Sequence, residues 1–172
     1  MLLACCSCGS KTEQTKETTS STIPEKDILS IPQLHDRLTD DSIALQELQD
    51  GFPNRLRTDF RWCDSMLAYI PEGRIEDFFN TLNLTQAYLS QFDEMLPIMN
   101  HDLGYLRQQL TNLQHDIDTH YLSDSLANAY LLDENAAADT LHYRILYFKD
   151  RLSQQDKELQ SLKDNIRKAR KK

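Results

Sequence analysis

Carboxylates and imidazoles that lie close together can hold a divalent metal, and this chain gathers His115, Asp116, Asp118 and His120 into six residues. On a regular helix, however, residues five apart point about 140° away from each other. His115 and His120 therefore cannot share one ion without distortion, and a solvated helix end is the expectation. A di-iron carboxylate bundle would need Glu-x-x-His pairs from two helices. None of the nine glutamates has a histidine three residues on, and the related Asp139-Thr140-Leu141-His142 occurs once and reads as a surface pair. No glycine-rich phosphate loop, His-Glu-x-x-His pair or Gly-x-Ser-x-Gly elbow is present. The residue types thus point away from an enzyme and imply no cofactor. Metal binding by the His/Asp group stands as a second alternative.

The cysteines carry a different chemistry. Leu2-Leu3-Ala4-Cys5 fits the lipobox at which bacterial signal peptidase cuts before the cysteine is acylated. A complete signal would carry a basic start and an apolar stretch of roughly 7 to 15 residues, of which residues 1–5 would be the remnant. Residues 6–30 are rich in Ser, Thr, Lys and Glu, as suits a flexible polar tether. A zinc site would need four ligands in two pairs, which Cys5, Cys6, Cys8 and the remote Cys63 do not supply. Cytoplasmic palmitoylation usually needs a second membrane signal, and Lys11 and Lys16 are offset by Glu13 and Glu17. Cys63 reads as a small buried hydrophobe. The expected partner is a lipid bilayer, reached through an acyl anchor on Cys5 at the bacterial cell envelope.

The elements that would position these groups are helical. Four glycines and five prolines in 172 residues favour long helices. No run approaches the roughly 18 apolar residues that cross a bilayer. The net charge is −8, yet the segment from Lys163 to Lys172 carries +5, six basic residues less Asp164, which leaves −13 before it. Such a body repels nucleic acid, and none is expected as a partner.

Ser30 can cap a helix with Pro32 in its first turn, bearing Leu34, Leu38, Leu45 and Leu48 and ending at Gly51. A second short helix is expected over residues 54–70 with Leu56, Phe60, Cys63, Leu67 and Ile70, before Pro71-Glu72-Gly73 breaks the chain. From residue 72 a long hairpin is predicted. Apolar residues alternate by three and four from Ile75 through Phe78, Leu82, Leu89, Phe92, Met99 and Leu110 to Ile117, with Thr85 the polar departure. After a turn at Ser123-Asp124-Ser125 the pattern resumes from Ala127 to Ala169, with Glu134 and Gln155 as polar departures. Folding the halves about Leu122 gives an antiparallel coiled coil, each arm of about 45 residues forming a rod on the order of 70 Å. Pro97 should bend the first arm without ending it. The fold expected is all-α: this hairpin over residues 72–172, with the two short helices of residues 31–71 completing a three- or four-helix bundle as one domain.

Outside the seam, Leu84, Ile98 and Tyr105 share one heptad position, and Leu132, Tyr143, Leu146 and Tyr147 lie off it on the second arm. A free-standing coiled coil keeps such positions polar. The short helices are expected to cover them; if left exposed, they form a surface for a protein partner or homo-oligomer. At the end of the chain, Arg167, Lys168, Arg170, Lys171 and Lys172 form a candidate anion contact, although cations there also complement the helix dipole and would lie beside Glu72, Glu76 and Asp77.

The segment Phe92-Asp93-Glu94-Met95-Leu96-Pro97-Ile98-Met99, followed by Leu103, Leu106 and Leu110, resembles a group of small helical bacterial envelope lipoproteins, many of which carry a misleading viral A-type inclusion protein label. Their Asp-Glu-x-Met-Pro-like segment is interrupted here by Leu96. The resemblance implies an envelope location and no catalytic activity. Together these readings describe a membrane-anchored lipoprotein serving as a non-catalytic binding or spacer module. A cytosolic coiled-coil adaptor or oligomerisation protein is the first alternative.

Overall fold

The computed structural model describes residues 28–70 and 75–169, with side chains to residue 168. Cys5, Cys6, Cys8, most of the tether, the Pro71-Glu72-Gly73 break, and Arg170, Lys171 and Lys172 lie outside the described residues. Three helices pack against one another: α1 (Ile31–Ser65), α2 (Ile75–Asp118) and α3 (Asp124–Ala169), with a short 3-10 turn at Leu67–Tyr69. No strand occurs among the described residues.

Helix α1 begins as its sequence suggests. Gln33 Oε1 accepts the Ser30 backbone N–H at 2.9 Å, and Pro32 falls in the first turn, where its missing N–H costs nothing. The expected stop at Gly51 does not occur, and one 35-residue helix replaces two short ones. Glycine and proline cost about 1 and about 3 kcal/mol in a helix interior, yet Pro53 is buried within α1. The physical reason is packing. The three-and-four spacing continues through Leu45, Leu48, Phe52, Leu56, Asp59 and Cys63, with one extra four-residue step at Gly51-Phe52-Pro53. Tertiary burial of that continuous stripe outweighs local propensity.

On α2 and α3 the seam residues form the core: Phe78, Leu82, Leu89, Phe92, Met99, Leu103, Leu106, Leu110 and Leu113 from one helix, and Ala138, Leu141, Ile145, Phe148, Leu152, Leu159, Leu162 and Ile166 from the other. Leu96, Leu131 and Ile117 pack at its margin. Helix α2 runs through Pro97 without ending. Phe92 and Phe148 meet edge to face at 5.4 Å between centroids. Two turns away, the Thr85 hydroxyl proton is shared between Thr81 O at 2.8 Å and Gln155 Oε1 at 2.9 Å. The polar departures from the two arms thus pair with each other. Gln155 is 2% exposed, and hydrogen bonds replace the hydration that its burial removes.

The direction of the helices follows from their cross-contacts. Between α2 and α3, residue numbers rise on one helix as they fall on the other: Thr85 with Gln155, Phe92 with Phe148, Asp102 with Arg144. Between α1 and α3 they rise together: Arg37 with Asp139, Asp41 with His142, Arg55 with Asp156, Asp59 with Lys163. The turn joining α2 to α3 closes with Tyr121 N–H on Asp116 O at 2.9 Å and His120 N–H on Ile117 O at 3.0 Å. This is a Schellman cap whose left-handed position, usually glycine, is His120 at φ 55°. Ser123 then caps α3, its carbonyl accepting Ala127 N–H at 2.9 Å.

Candidate functional site

Helix α1 lies along one flank of the α2–α3 pair, and the chemistry beneath it is ionic. Asp41 and Asp59 occupy inward positions of α1's apolar stripe and are 3% and 8% exposed. Asp41 Oδ1 is hydrogen-bonded to His142 Nδ1 at 2.6 Å, while its buried Oδ2 has no partner. Asp59 accepts from Lys163 Nζ at 2.6 Å and Gln160 Nε2 at 2.5 Å. Arg37–Asp139 and Arg55–Asp156 extend the row along α3. Toward α2, Arg57 pairs with Asp93, and Arg107 donates to the Leu38 carbonyl at 3.2 Å. Asp139 and His142 are therefore not a surface pair with each other. Each reaches α1 because their helix places both toward it.

The remaining histidines near the turn have structural settings. His120 is the left-handed cap residue and His115 O accepts Thr119 N–H at 3.0 Å. Among the described residues no three His, Cys, Asp or Glu side chains are placed to hold a metal ion. Cys63 is fully buried, and burial, with Asp59 opposing the nearby Lys163 and Arg167, pushes its thiol up to about 11. At the basic end, Arg167 lies over the Trp62 ring at 5.6 Å and near Asp164 at 3.5 Å. It thus finds its partners on α1 and on its own helix. Lys168 is exposed.

The opposite flank is open. Leu84, Ile98 and Tyr105 of α2 lie there and, like Leu132, Tyr143, Leu146 and Tyr147 of α3, are between 40% and 60% exposed; Leu132 and Leu146 stand one heptad either side of Asp139, toward the edge that α1 covers. The expectation that the N-terminal helices cover them is corrected: α1 packs on the other flank, where its apolar stripe is buried and Asp41 and Asp59 find hydrogen-bond partners. On the open side Arg151 lies over Tyr88 at 5.9 Å and over Tyr147 at 5.5 Å, and Arg144 bonds Asp102 at 2.9 Å. Arg144 and Asp102 line one end of a groove of about 470 Å³ that runs on between Tyr105, Leu106, Asp133, Glu134 and Ala137. It continues into one of about 400 Å³ that shares Glu134 and adds Tyr130 and Tyr121. Burial, reinforced by the neighbouring charge of Asp133, raises the proton affinity of Glu134 above the usual carboxylate range.

This groove was not legible as a site. Glu134 was visible only as a polar interruption, and the short side chain of Ala137 gives no signal until its neighbours are placed. The row Arg144–Arg151, at a seven-residue spacing, was the available hint. Comparison with protein-family models, with curated proteins and with solved structures finds no match to this chain.

Proposed function

We propose that this chain is a non-catalytic binding or spacer module, tethered to a bacterial envelope membrane by acylation of Cys5, with its open flank as the partner surface. In this reading α2 and α3 form an antiparallel coiled-coil hairpin, a rod on the order of 70 Å. One observation carries the binding role: the core is complete with α1 in place, and seven large apolar side chains outside the seam remain exposed. Covering such residues is what favours association. No helix among the described residues is long and apolar enough to cross a membrane, and the tethering rests on Leu2-Leu3-Ala4-Cys5 and the polar stretch behind it.

Mass spectrometry of the mature N-terminus from native membranes tests the anchor, with a lipid-modified Cys5 expected; an unmodified Met1 favours the cytosolic adaptor instead. A photo-crosslinking residue at Tyr143 should give a discrete protein adduct in cells, whereas one at Glu47, an exposed position on α1, should not. Equal labelling at both positions would remove the case for a partner surface.

A further inference from the structure

The open flank already shows how it holds cations. Arg144 and Arg151 stand seven residues apart on α3, one bonded to Asp102 and the other lying over two tyrosines. A seven-residue step returns a helix to nearly the same face about 10.5 Å along. The position seven residues before Arg144 is Ala137, whose methyl leaves open the groove beside it. Arg144 lines one end of the groove and is bonded there to Asp102, whereas the lining beside Ala137 is carboxylate, tyrosine and apolar. Among the described residues no ion pair reaches Asp133 or Glu134. Tyr105 and Tyr130 flank Glu134 on its two sides and are 58% and 45% exposed.

We propose that the groove beside Ala137 receives a lysine or arginine side chain of a partner protein, held by Glu134 and Asp133 against Tyr105 and Tyr130. A carboxylate supplies the counter-charge, and tyrosine faces attract cations at about 0.5 to 2 kcal/mol each. Burial and the neighbouring Asp133 raise the proton affinity of Glu134, and no ion pair among the described residues offsets either carboxylate. A protein side chain fits better than a free polyamine because Leu106 and Ala137 line the groove, and Ile98 and Leu132 are exposed nearby in sequence. An alkyl stem and its neighbouring residues would cover that apolar surface. The inference goes beyond the tethered-spacer reading and holds whether or not Cys5 is acylated, so the two fail separately.

The test is binding of a short fluorescein-labelled peptide alternating lysine with leucine to the full chain, followed by fluorescence anisotropy. Ala137→Arg places the missing cation in the groove and should weaken binding about tenfold or more, with its helical circular dichroism retained. The double variant Asp133→Asn/Glu134→Gln should do the same. Removing two charges elsewhere on exposed surface, by Asp36→Asn/Asp40→Asn, should change affinity by less than about twofold. Wild-type affinity in both groove variants would overturn the site. So would equal binding of a glutamine–leucine counterpart, which would assign the attraction to apolar contact. Displacement of the peptide by an equal concentration of spermidine would assign the groove to small polyamines and overturn the protein partner.

Discussion

The two flanks of the α2–α3 pair differ: the covered flank joins an apolar stripe to a row of ion pairs, and the open one exposes tyrosine, leucine and isoleucine. Under α1 lie Arg37–Asp139, Asp41–His142, Arg55–Asp156 and Asp59–Lys163. On the open side lie Leu84, Ile98, Tyr105 and, beside Arg151, Tyr147. Helix α1 docks through its own apolar stripe, with Leu34, Leu38, Leu45, Leu48 and Leu56 at 0–2% exposure, and the ion pairs border that stripe. Buried ion pairs add little net stability but penalise every mismatched arrangement. Charge here adds register to the docking that the apolar stripe of α1 provides.

The largest effect expected from breaking this contrast is at Lys163. Lys163→Ala leaves the Asp59 carboxylate buried with Gln160 as its remaining partner, and chemical denaturation should show a loss of about 3 to 5 kcal/mol. Asp59→Leu/Lys163→Leu should regain most of it. If the single variant were as stable as the wild type, the ionic flank would not hold α1. Inside the seam, Thr85→Val deprives the buried Gln155 Oε1 of its donor and should cost about 1 to 3 kcal/mol, with recovery in Thr85→Val/Gln155→Leu.

A third prediction concerns pH and Cys63. Its thiol ionises near the ordinary value of 9.0 when unfolded but only at about 11 when folded. Below both values the group is neutral in either state and contributes nothing. Between them the unfolded state alone releases the proton, so stability falls as pH rises, by at most about 1.4 kcal/mol per pH unit. Denaturation midpoints of wild type and Cys63→Ala should converge through that window, and a constant difference would place the thiol in water. The smallest effect belongs to the open flank. Leu84→Gln or Ile98→Gln should shift stability by no more than about 0.5 kcal/mol. A loss several times larger would mean that these residues belong to the core.

Much of the bundle was legible because periodicity is a local property. The seam from Phe78 to Leu113 and from Ala138 to Ile166 is buried as its spacing implies, and the cap at Ser30 and the turn before Asp124 fall where their residues suggest. Helix α1 was misread at Gly51 and Pro53, because their helix-breaking tendency is a single-residue cost while the burial that offsets it is spread over the whole stripe. Asp41 and Asp59 escaped notice for a related reason. A carboxylate at an inward position looks like a surface residue until its cation, about a hundred positions away, is brought beside it.

The sequence by itself determined that the chain is helical and where the core stripe of each long helix runs, since both depend on residues within a few turns of one another. Only the tertiary structure decided which flank α1 covers, how the polar seam residues pair and where the tyrosine-lined groove opens. Those outcomes depend on the free energy of bringing distant charges and rings together, which spacing along one helix does not encode.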